Sequence, residues 1–395
     1  MADPWLSIIG IGEDGLPGLS DAARNALAQA EIVFGGPRHL DLAAAGGRGR
    51  SWPVPFSTAP VLALRGRRVA VLASGDPFWF GAGGSLSADL EPPEWRCHPA
   101  PSTFALAAAR LGWRLEATVC LGLHAMPFER LVPHLSKGAR ILCLLRDGAA
   151  PKALADWLVA RGFGDSDLQV MEALGGPQER VRPARADGFA LDDVRAPVAV
   201  ALEVRGGTGL SLAPGRPEAV FAHDGQITKA QVRALTIAAL APLPGEVLWD
   251  IGGGSGSVSV EWCRLAAGAR SFAIEAKPAR AENIRANAAA FGLDDRLTVV
   301  EGAAPHALRG LPAPDAVFIG GGGDEALLEA LWPLMPGGCR LVGNAVTLET
   351  EALYARWSGV KGGTLTRIEI AGAAPLGRMR GWSAARPVVQ WSVVA

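Results

Sequence analysis

A chain of 395 residues, 49% apolar and 19% charged, carries enough apolar sequence for two or three buried cores rather than one. That balance excludes a disordered chain, a collagen and a coiled coil, despite 50 Gly and 29 Pro. A formal net charge of −1 supplies no global field to draw in nucleic acid or an anionic membrane.

In chain order, Trp5–Ile9 reads as a short strand, and Ser20–Gln29 as a helix that Ser20 can cap. Ile32–Phe34, Val69–Leu72 and Ile141–Leu145 are apolar runs of strand length, suited to a sheet covered on both faces. Thr103–Leu111 and Lys152–Arg161 between them read as helices. The stretch Gly206–Pro217, rich in Gly, Pro and Ser, reads as a linker. It separates a first domain, 1–207, from a second, 218–395.

The second domain is more regular. Helices are predicted over Thr228–Leu240 (with Val232, Leu235, Ile237 and Leu240 available for burial), Val258–Ala266, Pro278–Phe291, Glu325–Trp332 and Leu348–Trp357. Strands are predicted at Glu246–Ile251, Ser271–Ile274, Leu297–Val300, Ala316–Ile319, Arg340–Val342, Leu365–Ile370 and Val388–Val393. A closing strand pair after five βα units is the order of a seven-stranded methyltransferase sheet. The halves differ in motif grammar, so no internal repeat is expected.

Five cysteines lie scattered without a C-x-x-C pair, which argues for reduced thiols in the cytoplasm and gives metal ligation no support. The N-terminus shows no signal-peptide pattern, and no run reaches about 18 apolar residues, so no membrane span is expected. Arginine makes up 33 of the 38 basic residues. Genomic base composition would account for that, and so would an anionic, polycarboxylate ligand, which arginine binds bidentately.

The most informative segment is Trp249-Asp250-Ile251-Gly252-Gly253-Gly254-Ser255-Gly256-Ser257: strand, acid, glycine loop, helix. Glycines allow the tight turn and close backbone approach to a ligand. Glu275 ends the next strand 23 residues beyond Gly252, where a carboxylate can bond ribose hydroxyls. A dinucleotide fingerprint requires a third glycine at position 257, which is Ser257. The Asp-x-G-x-G-x-G form, with Asp250 placed for the amino-acid end, is that of S-adenosylmethionine (SAM).

A literal G-x-G-x-x-G does occur, at Gly10-Ile11-Gly12-Glu13-Asp14-Gly15. Leu16-Pro17-Gly18 delays the following helix to Ser20, and Glu31 precedes the second strand instead of ending it, so a nicotinamide site is not expected. A second polar turn, Ser74-Gly75-Asp76-Pro77, follows the Val69 strand. Such turns at the carboxyl edge of a sheet are where α/β folds place ligands.

Together these motifs, with Gly36-Pro37-Arg38-His39-Leu40 and Pro101-Ser102-Thr103-Phe104, make residues 5–205 resemble the tetrapyrrole methylase family. From about His223 onward the chain resembles the decarboxylating precorrin methyltransferases, through Gln226-Ile227-Thr228-Lys229, the glycine loop, Glu301-Gly302-Ala303-Ala304-Pro305 and Asn344-Ala345-Val346-Thr347-Leu348-Glu349. In this order the halves resemble the bifunctional enzymes of cobalamin synthesis.

The resemblance implies a two-lobed tetrapyrrole methylase fold followed by a Rossmann-like, seven-stranded class I SAM methyltransferase fold. It implies one SAM site per domain, an anionic precorrin substrate and self-association through the second domain. Implied SAM contacts are Ser74, Gly75, Asp76, Trp79, Ser102 and Thr103, with Leu145 and Gly176 from a second lobe. In the second domain they are Thr228, Asp250, Gly252, Gly253, Gly254, Ser255, Gly256 and Glu275, with backbone at Ala303 and Ala304. The first domain would methylate C5 of a metal-free or cobalt-bearing precorrin; the second would methylate C15 and decarboxylate the ring C acetate.

Two departures stand out: Glu13 where many members carry Pro, and Leu123-His124-Ala125-Met126-Pro127 where His-Gly-Arg-Pro is common. Candidate proton-transfer groups are His223, Asp224 and His306, each with an alternative role in a turn, cap or exposed surface. Arg378, Arg380 and Trp382 either lie over the macrocycle or form a mobile loop. Outside this reading stand a nicotinamide-dependent oxidoreductase, resting on Gly10–Gly15, and a non-catalytic SAM-binding scaffold.

Overall fold

The computed structural model describes residues 4–395, which divide into two compact units. The first comprises residues up to Phe128 and His134–Gly209; the second comprises Glu129–Pro133 and Leu210–Ala395.

The first unit holds two five-stranded sheets. Strands β1 (Leu6–Ile11), β2 (Ile32–Gly35), β3 (Gly49–Ser51), β4 (Val69–Ser74) and β5 (Trp95–His98) form an all-parallel sheet in the order β3-β2-β4-β1-β5. The apolar runs supply both faces. Ile9, Ile11, Ala70 and Leu72 pack under the helix Asp21–Gln29, while Leu6, Ile8, Val69 and Val71 pack with Val61 and Leu86 on the other side. Ser20 caps that helix as predicted, accepting the Ala23 N–H at 3.2 Å. Only a three-residue 3-10 turn, Leu16–Gly18, follows Gly15, and the α-helix starts six residues beyond it, so the dinucleotide arrangement, with an α-helix opening in the glycine turn, does not form.

The second sheet contains β6 (Val119–Gly122), β7 (Arg140–Leu145), β8 (Asp167–Glu172), β9 (Arg180–Arg185) and β10 (Val198–Glu203), ordered β6-β7-β10-β8-β9. Only β6 and β7 run parallel. The helix Thr103–Leu111 packs Phe104, Ala107 and Ala108 onto Leu142, Met171 and Ala201 of this sheet.

The second unit is built on β11 (Val247–Ile251), β12 (Arg270–Glu275), β13 (Leu297–Glu301), β14 (Ala316–Ile319), β15 (Arg340–Ala345), β16 (Thr364–Ile368), the hairpin β17 (Ala371–Leu376) and β18 (Met379–Ala384), and β19 (Val388–Val394). Its sheet runs β13-β12-β11-β14-β15-β19-β16, five parallel strands and an antiparallel closing pair. This is the seven-stranded sheet expected from the sequence. The segment around Arg380 is a two-stranded ribbon rather than a bare loop, with Arg378 in its turn. Leu235 also departs from expectation: it is exposed, and the buried side of the helix Ala230–Leu240 includes Arg233 and Thr236.

The linker region is not free chain. Glu261, buried in the helix Ser257–Leu265, accepts the N–H groups of Gly215 (2.8 Å) and Arg216 (2.9 Å). It also pairs with the fully buried Arg233 at 2.8 Å, and Arg233 in turn donates to the carbonyls of Arg216 and Thr228. Residues 215–216 are thus part of the second unit. Among the described residues all five cysteines are free, three of them buried, and no helix is long and apolar enough to cross a membrane.

Candidate functional site

Each unit carries a glycine turn at the carboxyl edge of its parallel sheet, where loops leave adjacent strands.

In the first unit the loops after β1, β2 and β4 meet the turn before the helix Thr103–Leu111, enclosing a cavity of about 730 Å³. Close packing fixes the loops. A Cβ on Gly10 would lie 1.8 Å from the Gly75 carbonyl, and Gly75 itself has φ +55° against Pro101 and Ser102. Ser102 caps the helix through the Ala105 N–H at 3.1 Å. Of the residues implied by resemblance, Ser74, Gly75, Trp79, Ser102, Thr103 and Leu145 line the cavity. Asp76 and Gly176 do not. The Asp76 carboxylate accepts the Phe78 N–H at 2.9 Å, and Gly176 approaches Glu13 so closely that a Cβ there would lie 2.5 Å from the Glu13 Cβ.

The polar wall of this cavity was not anticipated. Arg38 forms an ion pair with Glu13, and its Nη2 reaches Ser74 Oγ at 3.0 Å and His39 Nε2 at 2.9 Å. His39 Nε2 also lies 2.8 Å from Ser74 Oγ. A guanidinium only donates, so Nε2 must accept and the imidazole proton sits on Nδ1, which is buried without a partner. Burial, and next the Arg38 charge, push the His39 pKa down to about 4, which keeps the ring neutral near pH 7. The sequence signal was adjacency: Arg38 and His39 follow β2 by three and four residues.

In the second unit the strand order reverses between β11 and β14. Two glycine loops meet there: a Cβ on Gly252 would lie 2.7 Å from the Gly321 carbonyl of the Gly320–Gly323 run after β14. That run follows a correctly predicted strand and could have been found on that ground. Gly252, Gly254 and Gly256 have φ of +71°, +60° and +70°. A Cβ on Gly254 would meet nothing nearer than 3.9 Å, so open space lies beside this backbone. Gly253 and Ser255 complete the turn, and the Ser255 carbonyl accepts from Asn287 at 2.8 Å.

Glu275 is buried at the end of β12, accepting the Gly254 N–H at 2.9 Å and the Lys277 N–H at 2.9 Å. Asp250 lies beneath the loop. Its Oδ2 accepts from Ser259 Oγ at 2.6 Å, and its Oδ1 is buried without a partner. Burial pushes its pKa up to about 6. An open cradle at Gly254, a carboxylate at Glu275 with lone pairs to spare, and an orphaned acceptor at Asp250 fit a cofactor bearing hydroxyl and ammonium groups.

The segment 222–228 is fastened beside this loop. Asn287 holds both backbone groups of Ala222 (2.8 and 2.9 Å), and Arg280 binds Asp224 (2.8 Å) and the Gln226 side chain (2.7 Å). His223 and Asp224 are engaged in the turn, accepting the Gly225 and Gln226 N–H groups at 3.0 Å each. Thr228 presents its carbonyl to Arg233. Ala303 and Ala304 follow β13, and the exposed His306 begins a short 3-10 helix. Arg378, Arg380 and Trp382 stand exposed on the hairpin. Among the described residues no cluster of His, Cys, Asp and Glu could hold a metal.

The family model for tetrapyrrole (corrin/porphyrin) methylases matches residues 6–190, and that for the precorrin methyltransferase domain matches 219–395. Precorrin-6Y C(5,15)-methyltransferase [decarboxylating] of Sinorhizobium sp is 50% identical over 400 residues, covering 99% of this chain and 97% of that one. The chain belongs to the decarboxylating precorrin-6Y C(5,15)-methyltransferase family.

As a member, it is a methyltransferase whose family uses SAM. A protein from Pyrobaculum calidifontis, named probable cobalt-precorrin-6B C(15)-methyltransferase (decarboxylating), is 36% identical over 182 residues, 44% of this chain and 93% of its own length. The solved C-terminal domain of precorrin-6Y C5,15-methyltransferase from Rhodobacter capsulatus is 58% identical, covering 47% of this chain and all of that one, with a TM-score of 0.46.

Proposed function

We propose that the chain methylates precorrin-6Y at C5 in the first unit, and methylates C15 and removes the ring C acetate carboxyl in the second, giving precorrin-8X. Each unit holds its own SAM. The observation that carries this reading is the pair of glycine turns, one at the carboxyl edge of each parallel sheet, with a cavity beside the first and open space beside Gly254 in the second. The separate Pyrobaculum protein, named for C15 methylation with decarboxylation and matched over under half of this chain, supports assigning those two steps to one unit.

Bound SAM supplies an electrophilic methyl group. The chain's contribution is placement and exclusion of water, because the acceptor is an electron-rich carbon and the displacement must be in line. In the first unit Trp79, Phe80 and Phe104 give the cavity an apolar wall, while Ser74, Ser102 and Thr103 provide polar positions at its edge. In the second, Glu275 and the Gly252–Gly256 backbone hold the ribose side of the cofactor, and Asp250 Oδ1 can accept its ammonium group. Each methylated carbon releases a proton, and the leaving carboxyl is replaced by one. Exposed His306 is placed to exchange protons with water, whereas His223 and Asp224 act by shaping the turn.

The second unit also self-associates in this reading, supported by the exposed Leu376, Met379 and Trp382 of the hairpin; light scattering of the whole chain gives the assembly mass. The deciding experiment incubates the protein with SAM and precorrin-6Y, with the cobalt form in parallel, and weighs the products. A gain of two methyl groups with loss of one carboxyl supports the reading. Unchanged substrate in both arms removes it.

A further inference from the structure

We infer that Arg38 binds a carboxylate of the tetrapyrrole in the first unit's cavity, and that Glu13 occupies the same guanidinium until the substrate arrives. The inference rests on the reading that this cavity methylates the macrocycle. It starts from the composition of the wall. Among the described residues lining the cavity, Arg38 is the only arginine or lysine and Glu13 the only carboxylate, and the two are paired with each other. Most of the remaining wall is apolar, with Trp52, Phe56, Trp79, Phe80 and Phe104 contributing large faces.

A substrate of a decarboxylating enzyme carries at least one carboxyl, and moving a carboxylate into such a space is unfavourable without a cation to receive it. Arg38 is the group that can. Its guanidinium is anchored on one side by Ser74 and His39, at 3.0 and 2.9 Å, and His39 is neutral, so Glu13 alone balances the charge. The anchored side fixes the fork, and the Glu13 side is the one an incoming carboxylate can take over, exchanging one ion pair for another. Glu13 therefore competes with the substrate. It also keeps the empty cavity from holding an unpaired cation.

Two variants with opposite expected signs test this. In Arg38→Gln, KM for precorrin-6Y in C5 methylation rises about 10- to 100-fold, the worth of a charge-assisted bond, while the SAM dissociation constant measured by calorimetry stays within about two-fold. Arg38→Lys, which keeps the charge without the fork, recovers part of the loss. In Glu13→Gln, KM for precorrin-6Y falls by about three-fold or more, a change that misfolding does not produce.

A rise in KM for Glu13→Gln matching that for Arg38→Gln would overturn the inference, leaving the pair as a clasp between loops. So would a loss of SAM affinity in Arg38→Gln with unchanged KM for the tetrapyrrole, which would make Arg38 a support for Ser74. If the unaltered protein places no methyl on C5, the proposed function itself fails. If it does and Arg38→Gln keeps the ordinary KM, only this inference fails.

Discussion

The two crevices reach the same position by different means. In the first unit the glycines admit neighbouring backbone: Gly10 lies against the Gly75 carbonyl, and Gly75 against Pro101 and Ser102. In the second, Gly254 faces open space, and its N–H donates to Glu275 at 2.9 Å. Loop-to-loop packing by glycine is common to both units, at Gly10 in the first and at Gly252 against the Gly321 carbonyl in the second; the second differs in adding an open glycine, Gly254. The polar groups differ as well. The first cavity has a charged pair with a neutral histidine, and the second a stacked arrangement of Asp250 below the loop and Glu275 beside it.

The largest expected effect comes from Gly254→Val. The branched side chain fills the cradle and strains a backbone at φ +60°, so C15 methylation and decarboxylation fall by at least about 100-fold while C5 methylation continues. Isotope-labelled NMR of the product locates the methyl. Loss of the C5 methyl instead would reverse the division of labour between the crevices.

A second test concerns how each unit is bounded. A fragment beginning at Leu210 keeps Gly215 and Arg216 on Glu261, and one beginning at Glu218 leaves that buried carboxylate short of two N–H donors. The shorter fragment is expected to be less stable by on the order of 3 kcal/mol in urea unfolding. Equal midpoints would return residues 210–217 to the status of a passive linker.

One buried group in each unit contributes to stability with an opposite response to acid. His39 has its folded pKa depressed from 6.5 to about 4, so at this group the unfolded chain binds the proton more readily between those values, and its contribution to the first unit's stability falls as pH falls through that window. Asp250 has its folded pKa raised from 3.8 to about 6, so at this group the folded state binds the proton more readily, and its contribution to the second unit's stability rises as pH falls from 6 toward 4. Calorimetric scans of His39→Gln and Asp250→Asn at pH 4.5 and 7.5 read the two contributions. His39→Gln should help more at the lower pH. Asp250→Asn should help more at the higher, by on the order of 3 kcal/mol at most. The same sign for both variants would contradict the assigned burial.

Asp76→Ala is the mildest change. Asp76 acts through one hydrogen bond to the Phe78 N–H and does not line the cavity, so C5 methylation should fall by about ten-fold or less, with C15 methylation unaltered. A complete loss of C5 methylation would place the carboxylate on the ligand after all.

The second unit's sheet was legible because mostly apolar, buried runs such as β11 and β14 each end in a glycine-rich loop. The sheet formed by β6 to β10 was much less so. In β9, Arg180 and Arg182 are fixed by Glu172 and Asp193, and Pro183 sits in an edge strand, so charge pairing rather than apolar alternation holds it. The β17–β18 ribbon is exposed along most of its length and has no alternation to read. At the sites, the glycine loop and Glu275 followed from local spacing. The contacts of His39 with Ser74 and of Asn287 with Ala222 join residues 35 and 65 positions apart, and no local pattern announces them.

The packing of Gly10 has a consequence for tolerance to change. Alanine there would put a methyl 1.8 Å from a carbonyl oxygen, so substitution should deplete folded protein in a library screened for abundance alone. Alanine at Gly254 meets no atom nearer than 3.9 Å, and its cost to abundance is limited to the positive φ. A paired screen, one for abundance and one for growth that depends on the product, would therefore separate glycines the fold requires from glycines the ligand requires. Residues 10 and 254 would fall into different classes although both belong to a G-x-G string.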